Sequence, residues 1–421
     1  MPRPFSSPAP AAWTPSSTCS VAPSRRSGKR PADINTNPHI EAAIGLAPMV
    51  REHADEAERE RHLPRPVAEA FAREGLYRVA APAEFHGADA DPMTQIGVIE
   101  AVSRADGSAG WNLMIGIETF GLIAPGFAHC PELIEDPMTI MASSTAAVGR
   151  ADKEDGGWRV SGQWQFVSGI HNAELFGATV RRYDNDEPVE DGNLYAVVPK
   201  GGYEIVDTWH VAGMRGSGSH DVRLDDVFVP DRLFVNPIGG NVGSPQLRLP
   251  IGNRLAYNKA AVAIGIARAG IDAFVELATE KKPRFTTRTL RDRPFAQRAV
   301  AHAEARLIGA RAALLELTER TWDTVVRGDS VQPRDQALFH IIASDAARAA
   351  VEVVETVTEA AGTTANRLGH PLERINRDVR VVRQHATVAP HLIEDAGRAL
   401  LNLEPETFIL RSRRPGTPPR P

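Results

Sequence analysis

"GWRVSGQWQFVSG", residues 157 to 169, is the stretch on which the fold turns. Its alternate positions Trp158, Val160, Gly162, Trp164, Phe166 and Ser168 share one side of a strand, provided that no bulge intervenes. "NLYAVVPKGGYEIVDTWHV" (193–211) and "SHDVRLDDVFVP" (219–230) keep the two-residue period, with Gly and Pro at the turns. Residues 138–245 therefore read as an antiparallel β domain, a barrel or a sandwich.

In both directions from this block the period becomes helical. Upstream, Asn37-Pro38 and Asp91-Pro92 each read as an N-cap followed by proline in the first turn. Gly75 closes the short amphipathic segment begun at "RPVAEAFARE", and the apolar run that follows breaks at Gly107 and Pro125. Downstream, long alanine-rich segments start at Arg254, Phe295, Arg334 and Leu372, and their small residues permit close helix packing. The expected fold is α+β: an N-terminal helical domain over 37–137, a β-barrel domain over 138–245 and a C-terminal four-helix bundle over 246–403. Residues 1–36, rich in Pro, Ser and Ala with no acid before Asp33, read as a disordered tail, and residues 404–421 read the same way.

Composition excludes several function classes. A net charge of −5 over 421 residues gives no footprint for nucleic acid. No apolar run is long enough to span a bilayer. Cys19 and Cys130 are the two cysteines, so no disulfide framework is possible in the folded part, which suits a reducing cytoplasm. Neither His-Glu-x-x-His nor Cys-x-x-Cys occurs, and His210 and His220 are too far apart for one helical turn, so no metal site is expected.

Three stretches carry polar chemistry. "AGMRGSGSHDV" (212–222) reads either as a plain glycine-rich turn or as an anion nest beside Arg215, Ser217 and Ser219. A β-patterned stretch follows it, so it is not a dinucleotide fingerprint. Ser168 ends an aromatic strand face and has no nucleophile elbow around it; it is either a satisfied turn residue or a hydroxyl at the rim of an apolar pocket. In "RINRDVRVVRQHATVAP" (374–390) the arginines sweep round a helix, whereas Arg374, Asp378, Val381 and His385 fall in line. His385 thus shares a face with a potential Arg374–Asp378 ion pair, and serves either packing or chemistry.

With their helical–β–helical order, "WQFVSG", "DTWHVAGMRGSGSHDVRLDDVFVP" and "PLERINRDVRVVRQHA" resemble the acyl-CoA dehydrogenase superfamily over about residues 37 to 403. The likeness is greater to its flavin-dependent monooxygenase branch, which holds the oxygenase components of two-component aromatic hydroxylases and a dibenzothiophene S-oxygenase. A dehydrogenase needs a carboxylate to remove the proton α to a thioester. Alignment on Arg377-Asp378 puts Ala386 at that position, and the alternative site on the first C-terminal helix is blank, because no acid occurs between Asp231 and Asp272.

The resemblance implies that reduced flavin, FADH2 or FMNH2, reacts with O2 to give a C4a-hydroperoxide that oxygenates a small aromatic or heteroaromatic substrate. It assigns His385 to proton transfer, with a pKa expected near neutrality, and Ser168 to a hydrogen bond near the flavin N5. Trp164, Phe166 and Trp209 would line the dry pocket, with Arg215 and Ser217 beside the cofactor. Arg284 and Phe285, with Gly362 and Thr363, would meet the flavin phosphates near a neighbouring subunit. Arg377 and Asp378 are expected to form a buried pair. The implied assembly is a cytoplasmic homotetramer fed by a separate NAD(P)H:flavin reductase. Some members of the branch have a further histidine where "GWNLMIGIETFG" offers Asn112, Glu118 and Thr119. The alternatives are an acyl-CoA dehydrogenase or oxidase with an unusual base, and a flavin- or ligand-binding protein without catalysis.

Overall fold

The computed structural model describes residues 37–189, 194–235, 243–407 and 409–410. Among the described residues five α-helices come first: α1 (Pro38–Glu52), α2 (Ala54–Glu60), α3 (Arg65–Arg73), α4 (Pro92–Ala105) and α5 (Gly107–Ile123). Both expected caps form, the Asn37 side chain accepting from the His39 amide and that of Asp91 from the Thr94 amide. Asp106 caps α5 in the same way through the Ala109 amide, which explains the break at Gly107.

Eight strands follow among the described residues: β1 (Met141–Glu154), β2 (Gly157–Val167), β3 (Leu175–Asp184), β4 (Glu187–Pro188), β5 (Leu194–Pro199), β6 (Glu204–Val206), β7 (His220–Pro230) and β8 (Phe234–Val235). They form one sheet in the order β6-β7-β2-β1-β3-β5-β8, with β4 beside β3. The expectation of a purely antiparallel block is corrected here, because β1 and β3 pair in parallel. β2 returns antiparallel to β1, and the chain then crosses to the far edge of β1, where β3 must run in β1's own direction.

The alternation across residues 157–169 is also corrected. The ladder between β2 and β7 slips between Trp164 and Val167, where Gln165 and Phe166 of β2 stand against the single Asp221 of its partner. Phe166 takes up the extra length with a φ of 59°, which turns its ring away from the side that Trp164 faces. Trp164 is sealed in the sheet core at 0% exposure, its indole donating to the Thr179 carbonyl, whereas Phe166 is 68% exposed.

The C-terminal part contains α6 (Ile251–Glu280), α7 (Pro294–Val326), α8 (Pro333–Ala361), α9 (Pro371–Arg383) and α10 (His391–Leu400). Sequence periodicity anticipates the first four and misses α10. Part of the expected C-terminal tail is structured too: Leu410 is buried against Ala337 of α8 and Ala396 of α10, and the Ile409 carbonyl accepts from Gln336. The tail expected over 1–36 lies outside the described residues, as do 408 and 411–421. Among the described residues no helix is long and apolar enough to cross a membrane.

The arginine-rich helix α9 ties the parts together, though not by the expected pairs. Arg374 reaches Asp55 at 2.7 Å and Asp106 at 3.7 Å rather than Asp378. Arg377 pairs with Glu373 at 2.8 Å and Glu58 at 2.9 Å. Asp378 instead accepts the Met214 backbone amide at 2.6 Å, pinning the glycine-rich loop onto α9. Burial, reinforced by Asp106, pushes the Asp378 carboxyl up to about 7.

Candidate active site

The end of β2, the middle of α5, the start of α6 and the loop after α9 converge on one place. Ser168 follows the Phe166 bulge and is buried. Its Oγ accepts the Trp111 indole N–H at 3.1 Å and lies 2.7 Å from Ser219 Oγ, which is 2.8 Å from Ser217 Oγ. On its other side the Trp111 ring packs edge-on to His385, with ring centroids 5.5 Å apart. Trp111 thus bridges the two residues that the sequence singled out.

His385 is half-buried, and its Nδ1 accepts the Thr387 backbone N–H at 3.3 Å. The Thr387 hydroxyl lies 3.0 Å from the same nitrogen and 3.4 Å from the Leu255 carbonyl, fastening the loop to the first turn of α6. An amide N–H can only donate, so Nδ1 carries no proton and a neutral ring bears it on Nε2. The near-neutral pKa expected for His385 is corrected: burial, with the Lys259 ammonium as the second cause, pushes it down to about 3.

α5 supplies the wall between these groups. Trp111, Ile115, Glu118 and Leu122 stand at i, i+4, i+7 and i+11, on one face of the helix. Within α5, Ile115 and Leu122 are the two residues that are not buried, so this face is the one that keeps accessible surface. Glu118 is ion-paired with Lys259 of α6 and accepts from Asn258 at 3.1 Å. Arg254, one turn earlier on α6, donates to the Gly121 carbonyl at 2.8 Å.

Other expected site residues lie elsewhere. Phe166 meets Trp209 edge-to-face at 6.1 Å between centroids, on the exposed side of the bulge. Trp164 faces the opposite side. Ser217 belongs to the hydroxyl chain, but Arg215 turns to Glu58, 3.2 Å from its carbonyl. Asn112, a candidate for the missing second histidine, donates to the Ser217 carbonyl at 3.2 Å, and Thr119 meets Ser143 at 3.0 Å. Arg284 and Phe285 follow the far end of α6, and Gly362 and Thr363 follow α8. Lys281 links those two regions through the Ala361 carbonyl at 2.6 Å and Thr364 at 2.7 Å. At about 1.5 Å of rise per residue, they lie about 40 Å along α6 from Leu255.

Sequence reasoning missed Trp111, Arg254, Lys259 and Thr387. One signal was present: the acid-free stretch from 232 to 271 leaves Arg254 and Lys259 without a partner on their own helix.

The N-terminal domain of the acyl-CoA dehydrogenases matches residues 46–125, and their C-terminal domain matches residues 257–390. Indole-3-acetate monooxygenase of Pseudomonas putida is 33% identical, over 88% of this chain and 95% of the relative. The FADH(2)-dependent resorcinol hydroxylase oxygenase component of a Rhizobium species is 26% identical, over 89% of this chain and 98% of the relative. Among solved structures, 3-HSA hydroxylase from Rhodococcus sp. RHA1 has a TM-score of 0.80 at 25% identity, covering 90% of this chain and 100% of its own. The chain belongs to the acyl-CoA dehydrogenase family, in the branch of flavin-dependent monooxygenases.

Proposed function

We propose that the chain is the oxygenase component of a two-component monooxygenase that oxygenates a small aromatic or heteroaromatic substrate. The observation that carries this reading is the Ser168–Trp111–His385 arrangement, in which a hydroxyl and an imidazole N–H flank one opening. Glu118 is the carboxylate that borders it, and its pairing with Lys259 and Asn258 withdraws it from use as a dehydrogenase base.

The residues fit a flavin. Phe166 holds a left-handed backbone conformation at a cost of about 1–2 kcal/mol, and its exposed ring forgoes about 1–2 kcal/mol more unless something covers it. A planar isoalloxazine against Phe166 and Trp209 would cover it. When bound, reduced flavin would supply the two electrons that activate O2, one oxygen atom entering the substrate and the other leaving as water.

The chain's own groups prepare that chemistry. Trp111 donates to Ser168 Oγ; on this reading Ser219 donates to it too, which fills its lone pairs and turns its O–H toward an outside acceptor. On the same reading Ser217 donates to Ser219 and polarises the chain further. Neutral His385 offers Nε2–H as a donor toward the reacting oxygen and is a poor base for free phenols. Ile115, Leu122 and Leu255 give the opening an apolar lining that excludes water.

The same reading places a separate NAD(P)H:flavin reductase upstream and the enzyme in the cytoplasm. It includes a homotetramer, in which Arg284, Phe285, Gly362 and Thr363 of one copy serve the flavin of another; Phe285 is 102% exposed in the single chain. It also keeps the division at 137/138 and 245/246, with the C-terminal helices as a four-helix core and the sheet curved toward a barrel.

Stopped-flow absorbance tests the reading. Protein mixed anaerobically with reduced FAD or FMN, then with oxygenated buffer and no substrate, should give a near-ultraviolet transient that outlasts that of free flavin. Direct oxidation without a transient, together with bleaching of bound oxidised flavin by an acyl-CoA, would reverse it in favour of the dehydrogenase.

A further inference from the structure

The opening beside His385 carries more positive charge than its protein partners neutralise. Lys259 and Glu118 cancel as an ion pair. Arg254 does not cancel: it is 6% exposed, and among the described residues no carboxylate lies within 4 Å of it. The one hydrogen bond of its side chain among those residues runs from Nη2 to the Gly121 carbonyl, at the α5 turn next to Glu118. An arginine stays protonated inside a protein, and a buried, unpaired cation is costly. The guanidinium has five N–H groups in a planar fork that matches a carboxylate.

The position of Arg254 relates it to the substrate. α5 and α6 run antiparallel, so Arg254 meets Gly121, Lys259 meets Glu118, and further along Ile266 meets Gly107. Leu122 and Leu255 are the next residues along the two chains, and both retain surface on helices otherwise buried there. Arg254 therefore stands at the end of the apolar wall remote from Trp111, with aliphatic surface between it and the Ser168–His385 pair.

We infer that the site selects aromatic substrates that carry a carboxylate, with Arg254 binding the carboxylate and the apolar wall holding the ring toward His385. This rests on the aromatic monooxygenase reading and specifies its substrate class. Binding would bring the cluster of Arg254, Lys259 and Glu118 to neutrality. Arg254 is a specificity residue here and takes no part in the oxygen chemistry.

The test is calorimetric binding of three acid and amide pairs: benzoate with benzamide, phenylacetate with phenylacetamide, and indole-3-acetate with indole-3-acetamide. At least one acid should bind about tenfold or more tightly than its amide, the strength of a charge-assisted fork. Arg254→Met should abolish that preference and leave the amide and reduced flavin bound within about twofold; Arg254→Lys should restore part of it. A panel in which no acid outbinds its amide overturns the inference without any variant. So does an Arg254→Met protein that keeps the preference, or one that loses reduced-flavin affinity instead. The stopped-flow transient is recorded without substrate, so its outcome is independent of this one.

Discussion

The Thr387 backbone N–H points at Nδ1 of His385 across 3.3 Å, and this contact decides which ring nitrogen holds the proton. Nitrogen NMR should therefore show His385 as the neutral Nε2–H tautomer. It should not titrate between about pH 5.5 and 8, because its folded pKa sits near 3, below the ordinary value of about 6.5. Between those two values only the unfolded chain binds the proton. Stability of the free protein should thus fall as pH drops from about 6.5 toward 3, with no contribution from this group above that window. A midpoint near 6.5 for this ring would refute the assignment.

His385→Ala removes the Nε2–H donor beside Trp111. Reduced flavin should still be oxidised, but product per flavin should drop by about tenfold or more, with hydrogen peroxide making up the difference, in the range of a lost acid–base group. Coupling that stays at the wild-type level would remove His385 from the mechanism.

Ser168→Ala leaves the Trp111 N–H without its acceptor and breaks the Ser217–Ser219–Ser168 chain at its outer end. The expected cost is about 1–3 kcal/mol in denaturant unfolding. The near-ultraviolet transient should also decay faster, since nothing then donates outward from that position. Faster decay with unchanged stability would mean that Trp111 finds another acceptor.

Glu118→Ala strands Lys259 in a buried site and should cost about 3–5 kcal/mol. Lys259→Met removes the second cause of the His385 depression, so the imidazole pKa should move up toward its ordinary value in the same NMR titration. A His385 pKa that falls or stays put in that variant would show that the two groups are not coupled.

Phe166→Gly relieves a left-handed conformation and an exposed ring at once. The free protein should be unchanged or more stable by about 1 kcal/mol, while affinity for reduced flavin, read by equilibrium dialysis under anaerobic conditions, should fall. If flavin affinity is retained, Phe166 does not cover the ring.

Much of the order of elements was legible because it rests on local chemistry. Asn37 and Asp91 cap helices wherever a proline follows in the first turn, and the switch from a helical to a two-residue period marks the sheet. Ser168 and His385 were legible through family resemblance, His385 beside the absent base and Ser168 in the strand "WQFVSG". The bulge at Phe166 was not, since a slip of one residue depends on what the partner strand β7 offers opposite it. α10 was missed although its ten residues are as amphipathic as α3, with Leu392, Asp395 and Ala396 as its buried face, and the docking of Leu410 shows only once α8 and α10 are side by side.

By itself, then, the sequence determined where helices and strands form, which residue types are missing from the dehydrogenase base positions, and that Ser168 and His385 stand out. The partnerships were decided by the tertiary structure. Arg374 and Arg377 bypass Asp378, Trp111 joins Ser168 to His385, and Glu118 neutralises Lys259 while Arg254 is left over. Capping, periodicity and the His385 tautomer act within a few residues of chain, whereas the Trp111–Ser168, Glu118–Lys259 and Arg374–Asp55 contacts join groups 57, 141 and 319 residues apart that only packing brings within hydrogen-bond reach.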